Sequence, residues 1–426
     1  MGTQKMTAYV LLALINMITT VKPNIWHAIT SLPKKHGNTY KSNHTQKGDK
    51  NVTSILDEIQ KIRFEETFSL DLTNRNRYRV VVQEPTGSKT AYYFGAPIYN
   101  ERSRKLLNLK FDMQEDHSFF IGSNGVITLG HTVSFKNKAG NCEILFPGAY
   151  HVQSETCIEY DIAKISPTLN GIAVHVNLHA QSSYRFQLET HTTPYGIKHN
   201  KKYFSIMREK FVPFVIVSCI GGMDKHGNLV SPATVQYCQT KEGAYELTVN
   251  TEHPDATELL FEINLYEQKL FQDTTVESRT PDQNNAFGGT ALIGYHDQLG
   301  EQWLYARPNF TMLRDLTHCT IREASLYFPK LNQKQPRLFA FPLSTRFCSF
   351  GSTWNTKKNI GRIGIPSVIL PHYQKIDITP FITHQKKLWA LSEGWVIRSV
   401  SNHSDFCAIS TGDSSFAPPI LAVQYE

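Results

Sequence analysis

Residues 171–190 read GIAVHVNLHAQSSYRFQLET. Ile172, Val174, Val176 and Leu178 alternate with Ala173, His175, Asn177 and His179. After the turn-prone AQSS at 180–183, Tyr184, Phe186 and Leu188 alternate with Arg185, Gln187 and Glu189. A repeat of two is that of a pleated strand, whereas a helix repeats its apolar face near every 3.6 residues. The alternation predicts antiparallel strands with one wet face, and the intervening residues predict a hairpin.

The same period runs outward in both directions. Upstream it begins at Thr67, with Phe68, Leu70 and Leu72 in FSLDL, and continues through YRVVVQEP, AYYFGAPIYN, VITLG and TVSF. Downstream, FVPFVIVSCIGG (211–222) is a solid apolar run, read as a strand buried on both faces whose Pro213 confines its start to an edge or a bulge. TVQYCQ, the turn KEG and AYELTVN form a second predicted hairpin, with Tyr245, Leu247 and Val249 on one face, and LLFEINL is a further strand. Before all of these, Val52, Ile55, Leu56, Ile59 and Ile62 fall at helical spacing, and Ser54 with Asp57 makes a capping-box start. A short helix is predicted over about 53–64.

From Asp273 the chain opens DTTVESRTPDQNNAFGGTALIGY and closes FAPPILAVQYE, and four of its five tryptophans fall between (Trp303, Trp354, Trp389, Trp395). Strand-like runs again alternate with turn formers. One helix is predicted from Thr379 as N-cap and Pro380 at the first helical position, ending at Gly394. The final ILAVQY puts Leu421, Val423 and Tyr425 on one side. The fold expected is therefore all-β: an antiparallel β-sandwich, jelly-roll-like, over 271–426, preceded by an antiparallel β region over 51–270, with one or two short helices.

Composition limits the function. The net charge of +7 over 426 residues is mild; it suits an acidic partner such as a glycan, a wall polymer or a membrane surface, yet charge of this density is usually just a solvated surface. No basic helix or aromatic–basic repeat supports nucleic-acid binding. Met1–Thr20 has Lys5 before an apolar stretch, Ala8–Ile18, of signal-peptide length. It predicts secretion rather than a transmembrane span, the alternative being an apolar helix that packs or anchors. Residues 21–50 are polar and read as a linker. The seven cysteines are widely spaced, with no C-x-x-C; buried free thiols are the first reading, a Cys219–Cys238 bridge the second. Four N-x-[ST] sequences occur, at Asn43, Asn51, Asn309 and Asn402, and matter only if the chain is secreted by a glycosylating cell.

Several segments of the last third resemble, in order, the DNRLRE domain family of β-sandwich modules found on bacterial secreted and surface proteins and grouped with carbohydrate-binding modules. These are DTTVESRTPDQNN with ALIGY, Arg307 in WLYARPNF, IREASLYF, Trp354, Ile376–Thr379 (IDIT), and PPILAVQY. AYYFGAPIY, GGMDKHGNLVSPATVQY and ELLFEINL are similar to the region that often precedes this domain. The resemblance implies a secreted or cell-surface protein and a sandwich that binds carbohydrate or another envelope polymer.

The residues themselves nominate no catalyst. G-x-S-x-G, H-E-x-x-H, the P-loop, G-x-G-x-x-G and the EF-hand loop are missing from the sequence. The expectation is a non-enzymatic binder; a structural or adhesion element with protein partners is the alternative, and a glycan-cleaving enzyme the third reading. Sugar C–H faces stack on flat rings while hydroxyls bond to Arg, Asn, Asp and Gln. Tyr295, Asp297, Trp303, Tyr305 and Arg307 with Gln298 form one candidate cluster, and Trp354 with Asn355 and Lys357 a second. Against this, tryptophans in sandwiches are mostly core. One of Trp303 and Tyr305 is expected to point outward if they share a strand. His175 and His179 are expected to be solvated or paired across strands. No cofactor is called for; Asp377 could ligate a structural Ca²⁺, but more simply it caps a turn or helix start.

Overall fold

The computed structural model describes residues 39–40 and 55–426, apart from 64–67, 72–75, 104, 115–116, 179–181, 268, 334–335, 383–392 and 401–404. The expected signal segment, the 21–50 linker except 39–40, His179, Trp389, Asn43, Asn51, Asn402 and most of the helix expected after Thr379 lie outside the described residues. Strand accounts for 53% and helix for 5% of the structure, which makes it all-β as read.

Four antiparallel sheets carry the fold. Sheet I runs from Asp112–Met113 through Ser118–Ile121, Gly125–Leu129, Val133–Asn137 and Gly140–Leu145 to Ser183–Thr190, Tyr245–Asn250 and Thr234–Gln239. Sheet II contains Gly171–Asn177, Glu258–Leu265, Val212–Met223 and Tyr203–Glu209 at its centre. Phe120, Phe135 and Phe186 of sheet I meet Val174, Val217 and Phe261 of sheet II in the first core. Phe186 and Phe261 stack across it with centroids 5.4 Å apart.

The 171–190 stretch, which decided the fold class, also gives the main correction. Gly171–Asn177 pairs with Ala163–Pro167 and Glu258–Leu265 in sheet II, whereas Ser183–Thr190 pairs with Tyr245–Asn250 and Gly140–Leu145 in sheet I. The two strands therefore lie in different layers and do not pair with each other as a hairpin. Period identifies a strand; it does not identify its partner. Gly171–Asn177 keeps its wet face only towards its end: Ala173 is buried, His175 half-buried and Asn177 exposed. Ala173 is buried against a second cluster, with Ile220 and Leu260 on sheet II and Leu292, Phe406 and Ala408 on sheet III. His175 is paired across strands, with Glu258. The second predicted hairpin does form, Val235 opposing Val249. Pro213 sits at a register break against Met207, a bulge as expected.

Sheets III and IV form the second sandwich. Sheet III holds Phe271–Glu277, Thr290–His296, Gly300–Pro308, Leu338–Pro342, Trp395–Ser399 and Phe406–Ser410. Sheet IV is built from both halves of the sequence: Phe68–Leu70, Arg79–Gln83 and Lys89–Phe94 are followed by Ile420–Tyr425, Ile321–Pro329 and Tyr373–Asp377. Ile420 opposes Phe94 and Tyr425 opposes Lys89. Trp395, Leu304, Ile397 and Ile409 of sheet III pack on Tyr93, Leu326, Leu421 and Val423 of sheet IV. The other face of sheet IV carries Val80, Val82, Tyr92 and Phe94, covered by Ile55, Ile59 and Ile62 of helix Ile55–Ile62. The sequence boundary near 271 therefore does not isolate the second sandwich. The chain leaves it at Gly95, builds sheets I and II, and returns at Leu270, whose N–H donates to the Gly95 carbonyl at 3.2 Å. The first sandwich is an insertion whose two ends touch.

A buried polar joint links the sandwiches. Glu262 of sheet II, fully buried, accepts from Ser414 Oγ (2.6 Å), the Ser415 N–H (2.8 Å) and Asn264 Nδ2 (2.6 Å). Beside it Lys269 pairs with Asp413 at 2.7 Å, and Lys202 pairs closely with buried Glu277. Asp273 receives the Gly412 N–H and lies against Asp413; burial first, then that second carboxylate, holds its proton well above the usual carboxylate range.

Candidate functional site

On strand Gly300–Pro308 the even residues Leu304 and Ala306 face sheet IV. The odd residues 301, 303, 305 and 307 consequently share the opposite face. Trp303 and Tyr305, two apart, thus point the same way. This corrects the expectation that one of them would diverge. Tyr305 is fully buried, while Trp303 stays half-exposed.

Loop 343–360 explains the difference. Leu343, Phe347, Trp354 and Ile360 fold over the strand and close a small core with Val276, Tyr305 and Val396. Tyr305 Oη accepts the Lys358 N–H at 3.3 Å. The loop is pinned by the PDQNN segment: Asn284 Nδ2 donates to the carbonyls of Ser349 (2.6 Å) and Ser352 (2.9 Å), and Asn355 Nδ2 to Asp282 at 2.8 Å. The turn formers read from sequence thus act as an anchor for a distant loop. Trp354 is brought to Trp303, with ring centroids 5.2 Å apart and planes 55° apart.

Two cations complete the face. Lys357 Nζ lies 3.5 Å from the Trp354 ring centroid and 4.7 Å from that of Trp303. The Arg398 guanidinium lies 5.2 Å from the Trp303 ring and 4.8 Å from that of Phe341. Such contacts are each worth about 0.5–1 kcal/mol at exposed sites. Trp303 Nε1 donates to Glu301 at 2.7 Å, which fixes the indole in its plane. Burial lowers the Lys357 pKa, and Arg398 lowers it further against the pull of Glu301. The ammonium therefore gains from any added anion.

The other candidates are placed as follows. Arg307 donates to Gln272 and lies over Phe347 at 5.8 Å; burial and Arg346 both depress its pKa. Tyr295 is exposed, opposes Glu301 in the 290–308 hairpin, and accepts from Arg279 at 3.4 Å. Asp297 is exposed at the hairpin tip. Trp303, Trp354 and Arg307 thus share the face, Tyr305 is its foundation, and Tyr295 and Asp297 lie at its end. Trp395 is core, as read. Asp377 accepts the Thr379 N–H at 2.9 Å and so caps the helix start, and Asn309 caps the 3-10 helix Phe310–Leu316. Among the described residues no group of three His, Cys, Asp or Glu is placed to hold a metal, and no helix is long and apolar enough to cross a membrane, which says nothing of a β-barrel.

Sequence reasoning missed Glu301, Arg398 and Phe341. Arg398 breaks the apolar run WVIRSV, which marks it as outward-facing, but only the pairing of Trp395–Ser399 with Gly300–Pro308 and Leu338–Pro342 sets it beside Trp303. No protein-family model matches the chain, and no curated protein matches it in sequence.

Proposed function

We propose that this is a non-catalytic secreted or cell-surface protein that binds carbohydrate or another envelope polymer through the Trp303–Trp354 face of sheet III. The observation that carries the reading is Lys357 seated on both indoles with Arg398 beyond it. Flat rings offer a stacking surface for a sugar face, and cations already held on those rings favour polymers bearing carboxylate or phosphate. The resemblance of residues 273–426 to DNRLRE modules supports the same role. Retention of the full chain on immobilised acidic polysaccharide, compared with a neutral one, tests it. Trp354→Ala and Lys357→Gln are each expected to weaken retention about ten-fold, a loss of roughly 1.4 kcal/mol. No retention on any polymer at low salt, or unchanged retention of both variants, refutes it.

A second reading, assembly with protein partners, draws on a different place. Ile363, Val368 and Ile369 are exposed at 79%, 56% and 40%, the last two on the outermost strand of sheet IV. An edge of this kind invites pairing with another chain. Sedimentation separates the readings: Val368→Lys should dissolve an assembly while leaving polymer retention intact.

A further inference from the structure

Away from the Trp303 face, helix Ile55–Ile62, the Pro329–Asn332 segment after strand Ile321–Pro329, the Leu370–Tyr373 turn and the 227–228 turn line an open groove of about 750 Å³. A smaller cavity of about 150 Å³ adjoins it, sharing Glu58, Pro329, Phe416 and Ala417 as walls. The two have opposite chemistry. The smaller is lined by Ile55, Phe94, Leu109, Leu169 and Ile420. The larger carries Lys61, Lys330 and His372, with Glu58 as its acidic group among the described residues.

Glu58 does not neutralise the other cations. It accepts from Lys61 Nζ at 2.9 Å and is in close contact with Tyr373 Oη. Lys330 is half-buried and has no carboxylate partner among the described residues. Its main-chain N–H donates to the His372 carbonyl at 2.9 Å, which holds the two residues side by side. Burial lowers the pKa of both, and Lys61 and Lys330 lower that of His372 further while Glu58 opposes them. Cys407 pulls the Lys330 value back up; Lys330 is thus a cation with no carboxylate beside it among the described residues, and His372 a group that an added anion would help to charge.

We infer that this paired site binds a small amphiphilic organic anion, its carboxylate or phosphate head between Lys330 and His372 and its apolar tail in the Ile55–Phe94–Leu169 pocket. The smaller cavity has room for a tail of roughly five carbons, taking about 30 Å³ for each water-sized group. The head and tail requirements can be tested separately. Calorimetric titration of the full chain would use hexanoate, hexyl phosphate, hexanol, acetate and inorganic phosphate. Hexanoate or hexyl phosphate, or both, should bind, and whichever binds identifies the head. Hexanol and the tail-less anions should bind at least about ten-fold more weakly. Lys330→Gln should weaken the anion about ten-fold without changing hexanol. Leu109→Asn should erase the advantage of hexanoate over acetate. Affinity for the anion should rise as the pH falls through the His372 titration, which lies below the ordinary histidine value of 6.5. Hexanol binding as well as hexanoate, Lys330→Gln binding the anion as wild type does, or no binding by either hexyl anion overturns the inference. A thermal melt of each variant separates lost binding from lost folding.

Discussion

Expressing residues 271–426 alone removes the whole first sandwich and, with it, the strands Arg79–Gln83 and Lys89–Phe94. Ile420–Tyr425 then loses six register partners along one edge. Tyr78, Val81 and Tyr93 leave the core between sheets III and IV, and Val80, Val82, Tyr92 and Phe94 leave the layer under the helix. Seven buried side chains at about 1.5–3 kcal/mol each amount to roughly 10–20 kcal/mol of burial. About half of that belongs to the surfaces left behind, so the fragment forfeits roughly 5–10 kcal/mol. Whole domains are stable by only about 5–15 kcal/mol. The fragment is expected to show no cooperative thermal transition by circular dichroism and little amide protection. The informative comparison replaces residues 96–269 with a short Gly/Ser linker, which the Gly95–Leu270 hydrogen bond makes geometrically easy. That chain keeps sheets III and IV and should melt cooperatively. A sharp transition from 271–426 alone, at the temperature of the linked chain, would refute the argument that the last third depends on residues 78–94.

Three further outcomes follow from burial and charge. Burial and Asp413 raise the Asp273 pKa in the folded protein above its unfolded value near 4; its contribution is thus present at low pH and lost as the pH rises through its elevated folded value. Asp273→Asn should match wild type in urea midpoint at pH 4 and exceed it at pH 8, and a pH-independent difference would contradict the assignment. Trp395→Ala, at a fully buried position, should cost about 3–5 kcal/mol in urea melts, against about 1–2 kcal/mol for half-exposed Trp354→Ala; equal losses would place the Trp354 ring in the core. Thiol labelling of the native chain should modify exposed Cys238 and Cys348 first and spare Cys142, Cys219 and Cys407, whose thiols burial pushes up in pKa. Mass spectrometry reads the order, and rapid modification of Cys142 would show the first core to be open.

How much of this was legible beforehand can be judged strand by strand. The runs at 172–177, 184–188, 245–249 and 421–425 were visible because alternation is a local property of the chain. Leu421, Val423 and Tyr425 do share a face, but Ile420 and Ala422 are buried too, since sheet IV is covered on both sides. Partnership is not legible, because pairing is set by distant residues, tens of positions away for 171–190 and hundreds for 89–94 and 420–425. That is why a hairpin was expected where the chain changes layer, and a domain boundary where a single sandwich is interrupted. The candidate site divides in the same way. Trp303, Arg307 and Trp354 were found as residue types suited to a polymer, whereas Arg398 and Glu301 acquired meaning only from register and from the indole hydrogen bond.

The contact between Gly95 and Leu270 also bears on how the molecule assembles. Sheet IV joins strands that the intervening sandwich separates widely in sequence, and closing a long unfolded loop is slow and leaves the Lys89–Phe94 edge open to other chains. Once sheets I and II have folded, that loop no longer has to be searched. Their entry and exit already stand a hydrogen bond apart, and the early strands are handed to the later ones across that short gap. The inserted sandwich thereby serves as an internal assembly jig for sheet IV, the layer packed behind the sheet that carries the aromatic face, and mutations that slow its folding should appear as aggregation of the outer host.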